Sequence, residues 1–158
     1  MGVELFVFEY EYGYYEEDEA RPKSDGTPFS KNDLLAAITA LLAGYAAEEV
    51  VFNKVHHTIG ENMGIIDNIL FKMAECGMLG WEFLYRRGHN YEVGYSDAYK
   101  ERLEAAFLRT VADCYERAKA TVIANERLIK KLAPVLVSRE SLEKSECEPI
   151  LFELGGTA

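Results

Sequence analysis

His56, His57 and Glu61 are the residues whose types and spacing come closest to a metal site. Imidazole and carboxylate are both zinc donors. His57 and Glu61, four residues apart, share one face of any helix that starts early enough to include them. The same residues also describe a solvated helix N-terminus, where an acid at Glu61 is favoured by the positive end of the helix dipole. That plainer reading is preferred. His89 stands in an aromatic stretch, and nothing in the residue order brings it to the other two. Glu48 and Glu49 are paired carboxylates in otherwise apolar surroundings. General acid–base work needs a polarised water or substrate beside them, and no source of either is evident. A structural role is expected, with one carboxylate buried and hydrogen-bonded and the other facing water. Cys76 precedes Gly77 at an expected helix end, where the negative pole of the dipole raises a thiol's pKa and makes a poor nucleophile. Cys76, Cys114 and Cys147 include no C-x-x-C pair. Buried free thiols in a reducing compartment are expected, and not a disulfide framework or a sulfur-rich zinc site. No Ser-His-Asp arrangement can be recovered from three histidines at these positions.

The elements that position these groups follow from hydrophobic period. In residues 3–15, Phe6, Phe8, Tyr10, Tyr12 and Tyr14 fall on one face and Val3, Leu5, Val7, Glu9 and Glu11 on the other. A period of two predicts a strand, or two strands broken near Gly13, with the aromatic side packed on helices. The other face turns acidic towards its end, as on an edge strand. Residues 16–29 form a polar loop. Ser30 offers an N-cap with Asp33 three positions on, an acidic variant of the capping box. Leu34, Ile38, Leu41, Leu42 and Tyr45 then predict a first helix over Lys31 to Phe52. A second helix starts near Gly60, carries Met63, Ile66, Leu70 and Met73 with Ile65 and Ile69 widening the stripe, and stops at Gly77. Residues 78–95, rich in glycine and aromatics around Trp81, read as an ordered loop. Ser96 opens a third helix of roughly 40 Å, its stripe formed by Tyr99, Leu103, Phe107, Thr110, Cys114, Ala118, Thr121 and Val122. A fourth helix holds Leu128, Leu132, Val135 and Leu136, and Pro134 is expected to bend or break it. A short turn is expected from Ser138, holding Leu142. The predicted architecture is mainly α, a bundle of about four helices with a small N-terminal β element, in one domain over 1–145 with a frayed tail at 146–158.

Composition limits the partners. A chain of 158 residues supports one domain that buries roughly 70% of its unfolded surface. Its 49% hydrophobic and 12% aromatic content fits a globular protein. The net charge of −10 repels phosphate backbones and anionic lipid heads, which argues against nucleic-acid and membrane-surface binding. No secretory signal is evident, and no apolar stretch approaches the ~20 residues that span a bilayer. A cytoplasmic protein is expected.

Ala43-Gly44-Tyr45-Ala46-Ala47-Glu48-Glu49-Val50-Val51-Phe52 closely resembles the G-R-A-A-E-E-x-V-F segment of the FtsH-type zinc peptidase domain. Further fragments follow in order. Gly13-Tyr14 is similar to the family's G-Y-T, and Phe29-Ser30-Lys31-Asn32-Asp33-Leu34-Leu35 to its L-L-S-K-E-E-L. Met73-Ala74-Glu75-Cys76-Gly77-Met78 is similar to its M-V-T-E-Y-G-M. Tyr95-Ser96-Asp97 and Cys114-Tyr115-Glu116-Arg117-Ala118-Lys119 are similar to its Y-S-E and A-Y-E-R-A-K. The resemblance implies the family's helical peptidase fold, a zinc held by an H-E-x-x-H helix and a later Asp, and packing into six-membered rings. It also implies that Glu48 and Glu49 lie near the former active site. The matching strand edge pairs with substrate backbone in the related peptidases, so Tyr10, Tyr12, Gly13 and Tyr14 are candidates for peptide binding by strand addition.

The catalytic groups do not follow the scaffold. No H-E-x-x-H occurs in the chain, and in the family that motif lies further upstream of the G-Y-T glycine than the twelve residues that precede Gly13 here. Counting back from Met73 places Gly60-Glu61-Asn62-Met63 on the family's S-N-D-L, so Asn62 takes the position of the third zinc ligand; a slip of one residue would put Glu61 there instead. An amide oxygen is neutral and a weaker zinc ligand than a carboxylate. No G-x-x-x-x-G-K-[ST] occurs in these residues, so the ATPase half is expected to be absent. The expected function is that of a non-catalytic homologue, a peptide-binding or oligomerisation module without a cofactor, partnered by itself or by a peptide or protein. The alternative is a metallopeptidase fragment whose zinc-binding H-E-x-x-H half lies upstream or on a partner chain; an open reading frame upstream of Met1 that encodes the motif would favour it.

Overall fold

The computed structural model describes residues 28–54, 60–84 and 95–139, together with Pro149. The expected strand at 3–15, including Tyr10, Tyr12, Gly13 and Tyr14, lies outside the described residues, as do His56, His57, His89, Cys147 and the tail. Described residues form α1 (Lys31–Phe52), α2 (Gly60–Glu75), α3 (Trp81–Leu84), α4 (Asp97–Ala124) and α5 (Glu126–Arg139). The mainly α reading holds, with four long helices and one extra turn. The chain divides into two compact units, Arg21–Ala120 and a second that takes in Thr121–Ala158.

α1 begins as its sequence requires. The Ser30 hydroxyl accepts from the Asp33 N–H at 3.3 Å, and the Asp33 carboxylate accepts from the Ser30 N–H at 2.8 Å. Two of the first orphan donors are thereby satisfied in a reciprocal box. At the other end Asn53 adopts the left-handed conformation (φ 50°). Its N–H and that of Lys54 are taken up by the carbonyls of Glu49 and Glu48.

α1 is apolar on nearly every side, so its sequence does not say which face points inward. Ile38, Leu42 and Ala46 are buried, and lie within about 80° of one another at about 100° per residue. Ala36, Ala40 and Gly44 are exposed, between about 120° and 160° from Leu42 on the same wheel. Leu34, Leu41 and Tyr45, expected on the inner stripe, are only half-buried. The expectation that no apolar stretch approaches the length of a membrane span is corrected here. α1 is the one helix among the described residues long and apolar enough to cross a bilayer, a test that the core helix of a soluble protein also passes. Counting only the run free of charge stops at Ala47, whereas the helix continues through Glu48 and Glu49 to Phe52.

α2 packs on α1 and on α3. Its inner stripe is Ile66, Leu70, Met73 and Ala74, all buried, while Met63, Ile65 and Ile69 are half-buried. The helix stops at Gly77, whose φ of 70° suits glycine. The Met78 N–H donates to the Met73 carbonyl at 2.8 Å and the Gly77 N–H to the Ala74 carbonyl at 2.9 Å, a Schellman ending. A β-carbon at this φ costs about 1–2 kcal/mol, so Gly77→Ala should lower the unfolding free energy by about that amount in urea denaturation.

The expected aromatic loop contains α3 instead of irregular chain alone. Phe83 donates its N–H to the Gly80 carbonyl and buries its ring edge-on against Tyr99, with ring centres 5.9 Å apart. Ala74, Phe83 and Tyr99 form a small core lined by Leu79, Leu103, Ala106 and Phe107. Tyr99, Cys114, Ala118 and Val122 of the predicted α4 stripe are buried, but Thr121 is exposed. Four-residue spacing from Ala118 arrives at Val122, so Thr121 falls to the side.

α5 is not broken at Pro134, one of the two outcomes expected there. The helix runs through it to Arg139. Proline removes one N–H and leaves the carbonyl four residues earlier without its helical partner. Pro134 and Lys130 are both exposed, so water can serve that carbonyl.

Candidate functional site

Polar side chains of α2 and α4 reach α1 at three places. From α2, the Asn62 amide donates through Nδ2 to the Leu41 carbonyl at 3.1 Å. From α4, the Cys114 thiol approaches the Leu35 carbonyl at 3.6 Å, and that carbonyl also accepts from the Thr39 hydroxyl at 2.8 Å. Near the C-terminal end of α1, Glu49 accepts from the Tyr115 hydroxyl and, at 2.8 Å, from the Lys119 ammonium. Tyr115 and Lys119 are four apart and therefore share one face of α4. Lys119 also lies 5.9 Å from the centre of the Tyr115 ring, and Tyr45 of α1 packs against the same ring at 5.7 Å.

Electrostatics follow from these contacts. The hydrogen bond that Lys119 donates to Glu49 raises the Lys119 pKa above its ordinary value; desolvation opposes the rise, and the charges of Glu49 and Glu116 add to it. Lys119 thus remains an ammonium, which suits anchoring a carboxylate and not proton abstraction at neutral pH. Burial pushes the Cys114 thiol up, opposed by the Thr39 hydroxyl and Arg117. A protonated buried thiol is a packing group and not a nucleophile.

Several expectations change here. Glu48 and Glu49 are both half-buried, so the division into one buried and one solvent-facing carboxylate does not hold. Glu49 does carry the expected structural hydrogen bonds. Cys76 is exposed, against the expectation of buried thiols, and Cys114 is buried. Cys76 sits just past the last turn of α2, between Glu75 and the left-handed Gly77. Glu61 lies in the first turn of α2, and its expected partners His56 and His57 lie outside the described residues. Tyr115 and Lys119 are the site residues that sequence reading missed. Their four-residue spacing was available as a signal, but their partner is 66 and 70 residues away.

A catalytic zinc needs three protein donors and an open position. The described residues do not fit one. Asn62 turns an N–H towards α1, and the Glu49 carboxylate is occupied by Tyr115 and Lys119. Among the described residues no three His, Cys, Asp or Glu come together in a way that could hold a metal ion. What the arrangement does is pin α1: a neutral amide, a thiol and an ion pair fix an apolar helix against its neighbours.

An α-helical scaffold with a capped A-A-E-E helix held by an L-x-x-M-x-E-x-G helix and a Y-E-R-A-K helix is the helical part of a peptidase domain, of the type the sequence resembles. The family model described as Peptidase family M41 matches residues 18–150, and the chain belongs to that family. The ATP-dependent zinc metalloprotease FtsH of Thermotoga maritima is 30% identical over 144 residues, covering 84% of this chain and 24% of that protein. FtsH of Bacillus subtilis is 27% identical over 143 residues, covering 82% and 22%. The Arabidopsis thaliana enzyme FTSH 11, chloroplastic/mitochondrial, is 26% identical over 137 residues, covering 83% and 16%. The chain spans about a quarter or less of the length of these curated relatives.

Proposed function

We propose that this chain is a non-catalytic member of the M41 family that acts as a binding or assembly module, self-associating through the outer face of α1. The observation that carries this reading is the imbalance of α1. A helix that is apolar on all sides is ordinarily covered on all sides, yet only Ile38, Leu42 and Ala46 are buried while Ala36, Ala40 and Gly44 stand open. Small residues along an open helix face let a second helix approach closely. The lack of an H-E-x-x-H in the sequence supports the non-catalytic half of the reading, because this chain by itself supplies neither zinc-binding histidine of that motif nor its general base. Peptide binding along Tyr10, Tyr12, Gly13 and Tyr14 belongs to the same reading.

Light scattering on untagged protein should return a mass above the 17.9 kDa of one chain. Elemental analysis should find no stoichiometric zinc, and casein should survive incubation with the protein. A monomer at every concentration would remove the assembly role, and zinc-dependent casein cleavage would remove the non-catalytic one. A second reading is favoured by the short span of the match against its relatives: the chain is the helical part of a metallopeptidase whose H-E-x-x-H half is supplied upstream or by a partner. Under it, a longer product of the same gene would bind zinc and cleave casein.

A further inference from the structure

We propose that Asn62 is a helix-to-helix clip that sets how α1 is turned about its own axis, and that the aspartate of a zinc site cannot replace it without loss of fold stability. The clip stands on geometry alone; it rests on the proposed function only in taking Asn62 as the position of the family's third ligand.

Apolar burial is non-directional. Turning α1 about its axis would exchange Ile38, Leu42 and Ala46 for other apolar residues such as Leu34, Leu41 and Ala37, so burial alone discriminates weakly between rotations. A hydrogen bond is directional, and it weakens steeply as its angle departs from linear. The Asn62 Nδ2 to Leu41 oxygen bond joins residues 21 apart in sequence, runs from α2 to the middle of α1, and is partly shielded from water. A helical carbonyl retains a lone pair after accepting from the N–H four residues on, so Leu41 can take this second donor without breaking the helix. The contacts from α4 reach Leu35 and Glu49. Among these side chains Asn62 alone reaches from α2, the helix that carries the fully buried Ile66, Leu70 and Met73.

The side-chain type matters. Asparagine offers two N–H donors, whereas an ionised aspartate offers none. Aspartate at this position would set a negative oxygen against the carbonyl oxygen of Leu41 and desolvate its charge without a partner. The amide thus suits the clip and not a cation, the reverse of the preference that a zinc site would impose.

The test compares N62D and N62L with the unmodified protein by thermal unfolding in metal-free buffer at neutral pH. N62L should lose about 2–4 °C of Tm, the loss of one hydrogen bond in a chain of this size, and N62D should lose more. Added zinc chloride should leave the Tm of N62D unchanged. In the unmodified protein, the Asn62 side-chain N–H protons should exchange with solvent more slowly by NMR than those of the exposed Asn53 and Asn32, a measurement that does not require either variant to fold. Unchanged Tm in both variants, or fast exchange at Asn62, would overturn the clip. A zinc-dependent rise in the Tm of N62D would overturn the claim that aspartate cannot serve there. Zinc found in the unmodified protein would count against the proposed function and leave the clip untouched, so the two can fail separately.

Discussion

Leu70→Ala should lower the unfolding free energy by about 3 kcal/mol, within the 2–5 kcal/mol range for truncating a fully buried leucine. Leu70 is 1% exposed, one turn from Ile66 and close to Met73, each at 0%. The loss has two parts, the transfer free energy of the removed methyl groups and the cavity left where rigid neighbours cannot close. For a domain of this size the expected fall in Tm is about 6–12 °C, from 2–4 °C per kcal/mol. Leu108→Ala is the control. Leu108 is 65% exposed on α4, and such surface changes usually stay within about 0.5 kcal/mol. Urea denaturation of both variants measures the difference. Equal losses would mean that the α2 stripe is not the core.

That stripe was readable before any coordinates, and the reason is contrast. In α2, Ile66, Leu70 and Met73 alternate at helical spacing with Asp67, Asn68 and Lys72, so only one face can turn inward. Ser30 with Asp33 and Gly77 were readable for a different reason: each end of a helix leaves unsatisfied backbone groups, and few side chains or conformations can satisfy them. The belonging of the chain to the M41 family was likewise carried by an ordered set of short fragments, from Phe29 to Lys119 within the matched residues 18–150.

α1 was readable as a helix but not as an oriented one. Leu34 and Leu41 are as apolar as Ile38 and Leu42, Tyr45 adds a large ring on the same side, and Ala46, the third buried residue, is too small to weigh in a hydrophobic pattern. Its orientation depends on contacts that leave no local mark. Asn62 to the Leu41 carbonyl and Tyr115 to Glu49 join positions far apart in sequence, and one of those bonds ends on backbone, which is the same for every residue type. Two positions are exposed against expectation for different reasons: Cys76 was placed inside by the usual burial of free thiols and not by any pattern, and Thr121 lies one residue short of Val122, where the four-residue spacing from Ala118 arrives.

Ala46→Leu and Gly44→Ala put that orientation to a direct trial, since the two sites are two residues apart on one helix and should respond in opposite directions. Ala46 is 0% exposed, so the added carbons must displace packed neighbours at a cost of about 1–3 kcal/mol. A β-carbon at Gly44 meets nothing within 4 Å, and replacing a helical glycine by alanine should stabilise by about 0.5–1 kcal/mol. Denaturation midpoints moving down for the first and up for the second fit the rotation that Asn62, Cys114 and Tyr115 impose. The opposite order would mean that α1 is turned with Gly44 inward. Gly44→Leu then separates fold from assembly. It should leave the monomer at least as stable as the unmodified chain, because its β-carbon meets nothing within 4 Å and leucine is a better helix former than glycine, yet it should dissociate any oligomer built on close approach along Ala36, Ala40 and Gly44. An oligomer that survives Gly44→Leu would place self-association on some other surface, while the stability changes at Ala46 and Gly44 would still define which side of α1 faces the core.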